Sequence, residues 1–593
     1  MIPRKIQSLL NKVEKPARYL GNELNSVHKA VAPDTLRFAW CFPDLYEIGM
    51  SHLGSLIMYH LLNDQERVFC ERCYAPADDM SQYLEQESVP LFTLETKTPL
   101  REFHFVGFTL QYELSYTTIL HMLSLAHVPL LSHDRTDDDP IVIMGGPCAY
   151  NPEPVADFAD IIVIGEGEEV ILDIITCFES SGRNKQLFLK KAASVEGCYV
   201  PSMNDGSATV RKRHVEDFDQ SYFPKKPLVP FLDVVHDRAT LELFRGCIRG
   251  CRFCQAGIIY RPVRRKEITT LMDQASHIIP STGYDEISLT SLSTSDYPGL
   301  KELTRQIDDT FSHQRIGISL PSLRLDNTTL EIMQDIQKVR KSGLTFAPEA
   351  GSQRLRNVIN KGLSEADLVT AVTNAYMAGW SQIKLYFMIG LPTETMEDVN
   401  EIFQLVSRLD QQVYRQRSND LSHPLRLSVS VSNFVPKPWT PFQWVTQDTL
   451  DTFRKKHIFL KDLFRTMRAV QFSYHDPETS LLEGIFARGD RNLSQVLLRA
   501  HQKGCRLDGW AEHFHWTKWM ESFKECDIDP AAYLERERGL DEALPWDHLQ
   551  PGVTKEFLIR EYQKALQGET TEHCLSSCSG CGFQGTASGG ICP

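Results

Sequence analysis

Two trains of short apolar runs, each run followed by helix-spaced apolar positions, organise most of this 593-residue chain. The first begins near residue 36, where "LRFAWCFP" closes on a proline and "HLGSLIMYHLLND" follows with apolar residues three and four apart. "HFVGFTLQ", "SYTTILHMLSLAH", "IVIMGGP" and "IIVIGEGEE" continue the alternation to about residue 180. Such alternation predicts an open parallel sheet covered by helices, with ligand loops at the carboxyl ends of the strands. A proline- and lysine-bearing stretch, "SYFPKKPLVP", reads as a linker near 221–230.

The second train supplies six predicted strands between about 236 and 475: "ATLELFRG", "EISLTSL", "RIGISLP", "GLTFAPEAG", "QIKLYFMIGLP" and "RLSVSVSNFVP". Each but the last is followed by a segment with helical periodicity, which predicts a barrel or partial barrel whose chemistry belongs at the C-terminal strand mouth. Beyond about 476 the pattern turns helical, charged and aromatic, as in "GWAEHFHWTKWMESF". The expected fold class is α/β in three parts: an N-terminal Rossmann-like open parallel sheet (1–225), a central (β/α)6 partial barrel (226–475), and a mainly helical C-terminal region with a cysteine-rich tail (476–593).

Composition changes this picture little. The chain is too long for one hydrophobic core, and 42% hydrophobic with 24% charged residues is ordinary for a globular protein. A formal net charge of −14 argues against a broad nucleic-acid surface. No secretory leader and no apolar run of membrane-spanning length is visible, so the expectation is a cytoplasmic protein without a membrane partner. Thiols stay reduced there, and seven of the 15 cysteines crowd into 247–254 and 574–592, which points to metal rather than disulfides. The others (Cys41, Cys70, Cys73, Cys148, Cys177, Cys198, Cys505 and Cys526) are scattered and read as structural.

The loop "FRGCIRGCRFCQAG" spaces Cys247, Cys251 and Cys254 as C-x3-C-x2-C at the end of the first barrel strand. Three thiolates can hold three irons of a [4Fe–4S] cube and leave the fourth open, whereas an electron-transfer cluster normally takes four. A zinc site completed from a distance is the competing reading, although zinc ligands usually pair as C-x2-C.

With Phe253 before its third cysteine, the loop resembles the signature of radical S-adenosylmethionine (SAM) enzymes. The resemblance implies that SAM chelates the open iron. One electron, from a donor such as flavodoxin or ferredoxin, then cleaves SAM to methionine and a 5′-deoxyadenosyl radical. Carried to the other strand ends, it places Ser293 and Ser295 of "SLTSLSTSD" by the SAM amino group. It places Glu349 and Arg354 of "APEAGSQRLR" by the ribose and carboxylate, Gly390 of "MIGLPTET" by the adenine, and "FVPKPWTPFQW" as an apolar wall. Each of these is also compatible with a turn or a helix cap.

"FPDLYEIGMSHLG", "GGPCAYNPEP" and "IGEGEE" resemble the N-terminal domain of radical SAM proteins with a cobalamin-binding-like domain. Domains that give cobalt a lower imidazole carry D-x-H-x-x-G, but here Tyr46 stands where that histidine would follow Asp44. His52 and Gly54 come too late, and His52 reads better as a helix-capping residue. Cobalamin bound without a protein imidazole and a cofactor-free substrate domain both stay open. Glu166 and Glu168 read as acidic residues at a helix N-terminus, favoured by its dipole.

"CLSSCSGC" repeats the spacing at Cys574, Cys578 and Cys581, with Cys592 available as a fourth ligand. An auxiliary [4Fe–4S] cluster, a zinc knob and a disordered tail with free thiols are the readings it allows. The function expected is a radical SAM enzyme performing methylation or another radical modification on an unknown substrate. The alternatives are a methylthiotransferase-like RNA or protein modification enzyme and a non-catalytic iron–sulfur sensor that binds SAM. Basic runs such as "FRKKHIFLKDLFRTMR" read as a solvated helix face, so a nucleic-acid partner is not argued by them.

Overall fold

The computed structural model describes residues 2–204, 208–321, 344–416 and 425–583. Its first layer is a six-stranded sheet in the order β2-β1-β3-β4-β5-β6, made of β1 (Leu36–Phe42), β2 (Val68–Tyr74), β3 (Phe105–Thr109), β4 (Ile141–Gly145), β5 (Ile161–Val163) and β6 (Cys198–Tyr199). All neighbours pair in parallel except β5 and β6. The strands are near-continuous apolar runs because helices cover both faces. These helices include α1 (Leu53–Asn63), α2 (Tyr116–Leu125) and α3 (Gly167–Ser180). Edge strand β2 is buried at all seven positions. Its Arg72 lies within the protein, paired with Glu23 at 2.6 Å and Glu95 at 2.7 Å, so the chain before and after the strand closes the edge.

A short strand β7 (Val210–Arg211) leads into the second unit. Its parallel strands form two arcs, β12-β11-β8 and β13-β14-β15-β16. They are β8 (Ala239–Glu242), β11 (Glu286–Thr290), β12 (Gly317–Ser319), β13 (Leu344–Glu349), β14 (Gln382–Ile389), β15 (Arg426–Asn433) and β16 (Val470–Tyr474), with a small antiparallel ribbon, β9 (Phe244–Arg245) and β10 (Arg264–Arg265), beside the cysteine loop. The six predicted strands are all present. A seventh, β16, pairs with β15 over Leu427–Val431 and escapes the apolar pattern because most of it is exposed. Helices α4 (Ile268–Thr282), α5 (Leu300–Phe311), α6 (Gln353–Val358), α7 (Glu365–Met377), α8 (Met396–Gln416) and α9 (Leu450–Phe464) alternate with these strands.

The C-terminal region is helical, as expected, but it reaches back over the N-terminal layer. After α10 (Pro477–Arg488) comes α11 (Leu493–Gln502), and the Asn151 amide donates to the carbonyls of Ala487 and Gly489 at 3.0 and 2.9 Å. Trp510 donates to Asp44 at 2.9 Å, and β17 (Leu549–Gln550) adds in parallel to β7. Helix α12 (Lys555–Gln567) then returns to the cysteine loop. One apolar core therefore runs from the N-terminal helices through the barrel to Phe583. Among the described residues, no helix is long and apolar enough to cross a membrane.

Candidate active site

The cysteine loop leaves β9 through Gly246, whose φ of +87° favours glycine. A Cβ there would sit 2.9 Å from the carbonyl oxygens of both Pro262 and Tyr260. Cys247, Cys251 and Cys254 follow, each of them half-buried. Backbone amides aim at two of them, Arg249 N–H toward the Cys247 sulfur and Gly257 N–H toward that of Cys254, both at 3.4 Å. Burial, then the nearby Cys251, push the Cys254 thiol up to about 12. Three sulfurs gathered on one loop suit a metal that supplies positive charge to their thiolates.

The arginines of the loop fix it to three other elements. Arg249 pairs with Asp296, which also accepts the Ser293 hydroxyl at 2.7 Å, so the turn after β11 docks on the loop. Arg252, between the second and third cysteines, donates to the carbonyls of Asn357 and Val358 and to Glu561 of α12. Gln255 donates to the carbonyl of Pro438 in the segment after β15. The arginines stand in the quoted motif, but their partners lie far along the chain and carry no local signal.

The predicted SAM contacts are distributed around this loop. Ser293 is buried, and Ser295 lies half-buried in the turn Thr294–Asp296. Glu349 ends β13 at a φ of +66° and accepts from Lys361 at 3.1 Å. Gly390 ends β14 at a φ of +81°, where a Cβ would meet the Phe453 ring at 2.7 Å, and its amide donates to Glu394 at 2.8 Å. Arg354 is half-exposed and is held by Asp398 and by the Thr393 carbonyl at 2.8 Å, joining the loops after β13 and β14. Its guanidinium is therefore engaged in tying two strand ends together. Trp439 of the predicted apolar wall donates to the Tyr150 carbonyl at 3.0 Å, which brings that wall against the N-terminal layer.

Between the two layers lies a cavity of about 440 Å³, within the usual range for small-molecule sites. The strand-end loops of β1, β3, β4 and β5 line one side, with Trp40, Phe108 and Met144. The barrel lines the other with Phe244, Gly246 and Leu292. His52 reaches the cavity, but its Nδ1 accepts the Ser55 amide at 3.1 Å as the cap of α1, and burial lowers it to about 4.

Glu166 and Glu168 do stand at the start of α3, yet their partners are arginines of the barrel. Arg264 grips Glu166 with both terminal nitrogens at 2.6 and 2.7 Å, and Arg245 meets Glu168 at 2.6 Å and Glu242 at 2.8 Å. Burial opposes the charge on Glu166, but the Arg264 hydrogen bonds, Arg245 and the Val215 amide outweigh it and hold the carboxyl at about 2. These pairs hold the two layers face to face beside the cavity.

Comparison with known proteins agrees with this arrangement. Residues 54–201 match the family described as radical SAM proteins, N-terminal, and residues 241–406 match the radical SAM superfamily. The chain belongs to the radical SAM superfamily and is a radical SAM enzyme. An uncharacterized protein of Methanocaldococcus jannaschii is 29% identical over 442 residues, covering 72% of this chain and 87% of that one. An uncharacterized methyltransferase of Pyrococcus horikoshii is 23% identical over 376 residues, covering 59% of this chain and 75% of the relative. Among solved structures, the radical SAM methyltransferase TsrM of Kitasatospora setae, with cobalamin and a [4Fe–4S] cluster bound, aligns at a TM-score of 0.47 and 15% identity over 67% of this chain and 75% of that one.

Proposed function

We propose that Cys247, Cys251 and Cys254 hold a [4Fe–4S] cluster at which SAM is reductively cleaved, and that the cavity between the layers takes a corrinoid together with a substrate to be methylated. The observation that carries this reading is that Gly246, directly before Cys247, lines the same cavity as Gly107 of β3, Gly145 at the end of β4 and Gly167 at the start of α3. The donor set fits a cluster with one open iron, since three thiolates come from a single loop and two receive backbone N–H groups. When bound, the cluster supplies the electron that splits SAM and the corrinoid supplies a carrier for a methyl group.

The chain's own part is positional. Arg249, Arg252 and Gln255 anchor the loop at three points, and Ser293, Ser295, Glu349 and Gly390 sit at successive strand ends around it. The aromatic and aliphatic walls of the cavity suit a large apolar-faced ligand and limit water near a reactive radical. Tyr46 stands where the D-x-H-x-x-G histidine would follow Asp44, so the corrinoid is proposed to bind without a protein imidazole as lower ligand. The similarity to a methyltransferase of Pyrococcus horikoshii supports methyl transfer as the reaction class.

The test is cobalt and iron per chain after anaerobic purification from cells supplied with cobalamin, followed by an assay for 5′-deoxyadenosine. Stoichiometric cobalt with SAM cleavage supports methylation. Iron and cleavage without cobalt would reassign the cavity to substrate alone, with direct hydrogen abstraction as the reaction. No 5′-deoxyadenosine from a reduced, fully reconstituted protein would overturn the reading.

A further inference from the structure

The second cysteine motif lies against the first. The Cys574 amide donates to the carbonyl of Ile248, one residue after Cys247, at 3.0 Å. A void of about 20 Å³ is lined by Cys247 on one side and by Cys574 and Cys581 on the other. Cys581 is buried, while Cys578 is exposed and accepts the Gly580 amide at 3.4 Å, the same contact that Cys247 receives from Arg249.

This segment is built into the fold at several points. Thr554 donates its amide to the Cys581 carbonyl at 3.0 Å, Arg560 donates to the Ser579 carbonyl at 2.7 Å, and Lys212 lies 5.0 Å over the Phe583 ring. Asn360 exchanges two hydrogen bonds with the Thr571 backbone, at 3.0 and 2.9 Å, and also donates to the Gly250 carbonyl at 3.0 Å. One side chain thereby joins the two cysteine segments.

We propose that Cys574, Cys578 and Cys581 hold a second [4Fe–4S] cluster, and that it is the port through which the SAM-cleaving cluster receives its electron. The C-x3-C-x2-C spacing is that of the family's cluster loop and is unusual for zinc. Position decides the role. None of the described tail residues lines the large cavity, whereas Arg245, Gly246 and Tyr260, which flank the cysteine loop, do. The tail cluster therefore sits away from the substrate, and the exposed stretch Leu575–Cys578 offers its outer face to a docking protein. A reduced flavodoxin- or ferredoxin-class donor gives up one electron and is oxidised. A cluster held by Cys574, Cys578 and Cys581 would take up that electron and pass it inward, with no bond made or broken. Cys592, the fourth ligand expected from the sequence, lies outside the described residues.

The relay rests on the SAM-cleavage reading, and the test separates the two. Full-length protein, reconstituted anaerobically, is expected to hold about eight irons per chain, with less than stoichiometric zinc and two distinct reduced-cluster signals in electron paramagnetic resonance. In C574A/C578A/C581A, iron falls to about four and one signal disappears. The ratio of 5′-deoxyadenosine made with reduced flavodoxin to that made with dithionite falls at least tenfold. Should the triple variant not fold, C578S at the exposed position carries the same readings. About four irons in the unmodified protein, stoichiometric zinc, or an unaltered ratio in a variant that has lost its irons would overturn the proposal. Eight irons without any dithionite-driven cleavage would instead sink the SAM-cleavage reading, and the relay with it.

Discussion

The guanidinium of Arg252, between the second and third cysteines of the cluster loop, lies 3.1 Å from the carboxylate of Glu561, 309 residues further along the chain. Both side chains are buried. Glu561 also accepts the Thr571 hydroxyl at 2.9 Å, so the pair is satisfied on both sides. Removing one partner of such a pair leaves a charge stranded out of water, at a cost of about 3–5 kcal/mol. E561A is accordingly expected to lower the Tm and the iron retained by the first cluster after desalting, while E561Q recovers part of both. Iron retention equal to the parent protein would show that the loop holds itself.

Glu166 gives a second expectation. Its carboxyl is held at about 2 against an ordinary 4.5, so the ion pair contributes stability above pH 4.5 that is lost as pH falls toward 2. The contribution is on the order of 3 kcal/mol for a shift of this size. In E166Q that share of the acid-side loss is absent, and the protein is less stable at neutral pH. Because Arg264 and Arg245 belong to the barrel, limited proteolysis of E166Q is expected to release the layers from each other sooner. Denaturation followed between pH 2 and 7 checks the slope.

Buried histidines act over a higher range. Burial lowers His60 and His457 to about 4 and His121 to about 3, from an ordinary 6.5. An unfolded chain binds these protons below pH 6.5 while the folded chain does not, so stability falls as pH drops from 6.5 through about 4 and then levels off for His60 and His457. At most, His60 and His457 each contribute on the order of 3 kcal/mol and His121 on the order of 5 kcal/mol. His457 stacks on Tyr474 at 4.2 Å, and H457F is expected to keep the stack while flattening part of this slope. An unchanged slope in H457F would show that His457 binds its proton equally well in the folded and unfolded chain.

Gly246 allows a local test. G246A places a methyl against two carbonyl oxygens at 2.9 Å in a backbone region that costs other residues about 1–3 kcal/mol. The variant is expected to fold but to take up less iron, because Cys247 is the next residue. Full iron with an unchanged absorption spectrum would refute this.

How much of this was legible depended on distance along the chain. Strands such as β1 and β14 announced themselves as apolar runs, because both their faces are covered or half-covered by helices. Strand β16, "VQFSY", did not, since its outer positions face solvent and its apolar content is spread out. The cysteine loops were legible because their chemistry lies within eight residues. The partners of Glu166 and Glu168 were not: Arg264 is 98 residues away, and only the folded meeting of two sheets brings it near. The ion pair of Arg354 with Asp398 was equally hidden, because 44 residues separate the two and only the meeting of neighbouring strand-end loops joins them.

The separation of Arg252 from Glu561 also has a meaning in time. A ribosome working at about 5–20 residues per second exposes the first cysteine loop roughly 15–60 seconds before the helix that braces it. During that interval Arg252 has no carboxylate to meet and the second cysteine segment does not yet exist. Metal loaded then would sit in an unsupported loop open to oxygen. Maturation of this enzyme is thus expected to follow translation rather than accompany it, and a chain broken before residue 561 would have its cysteines without the means to keep a cluster.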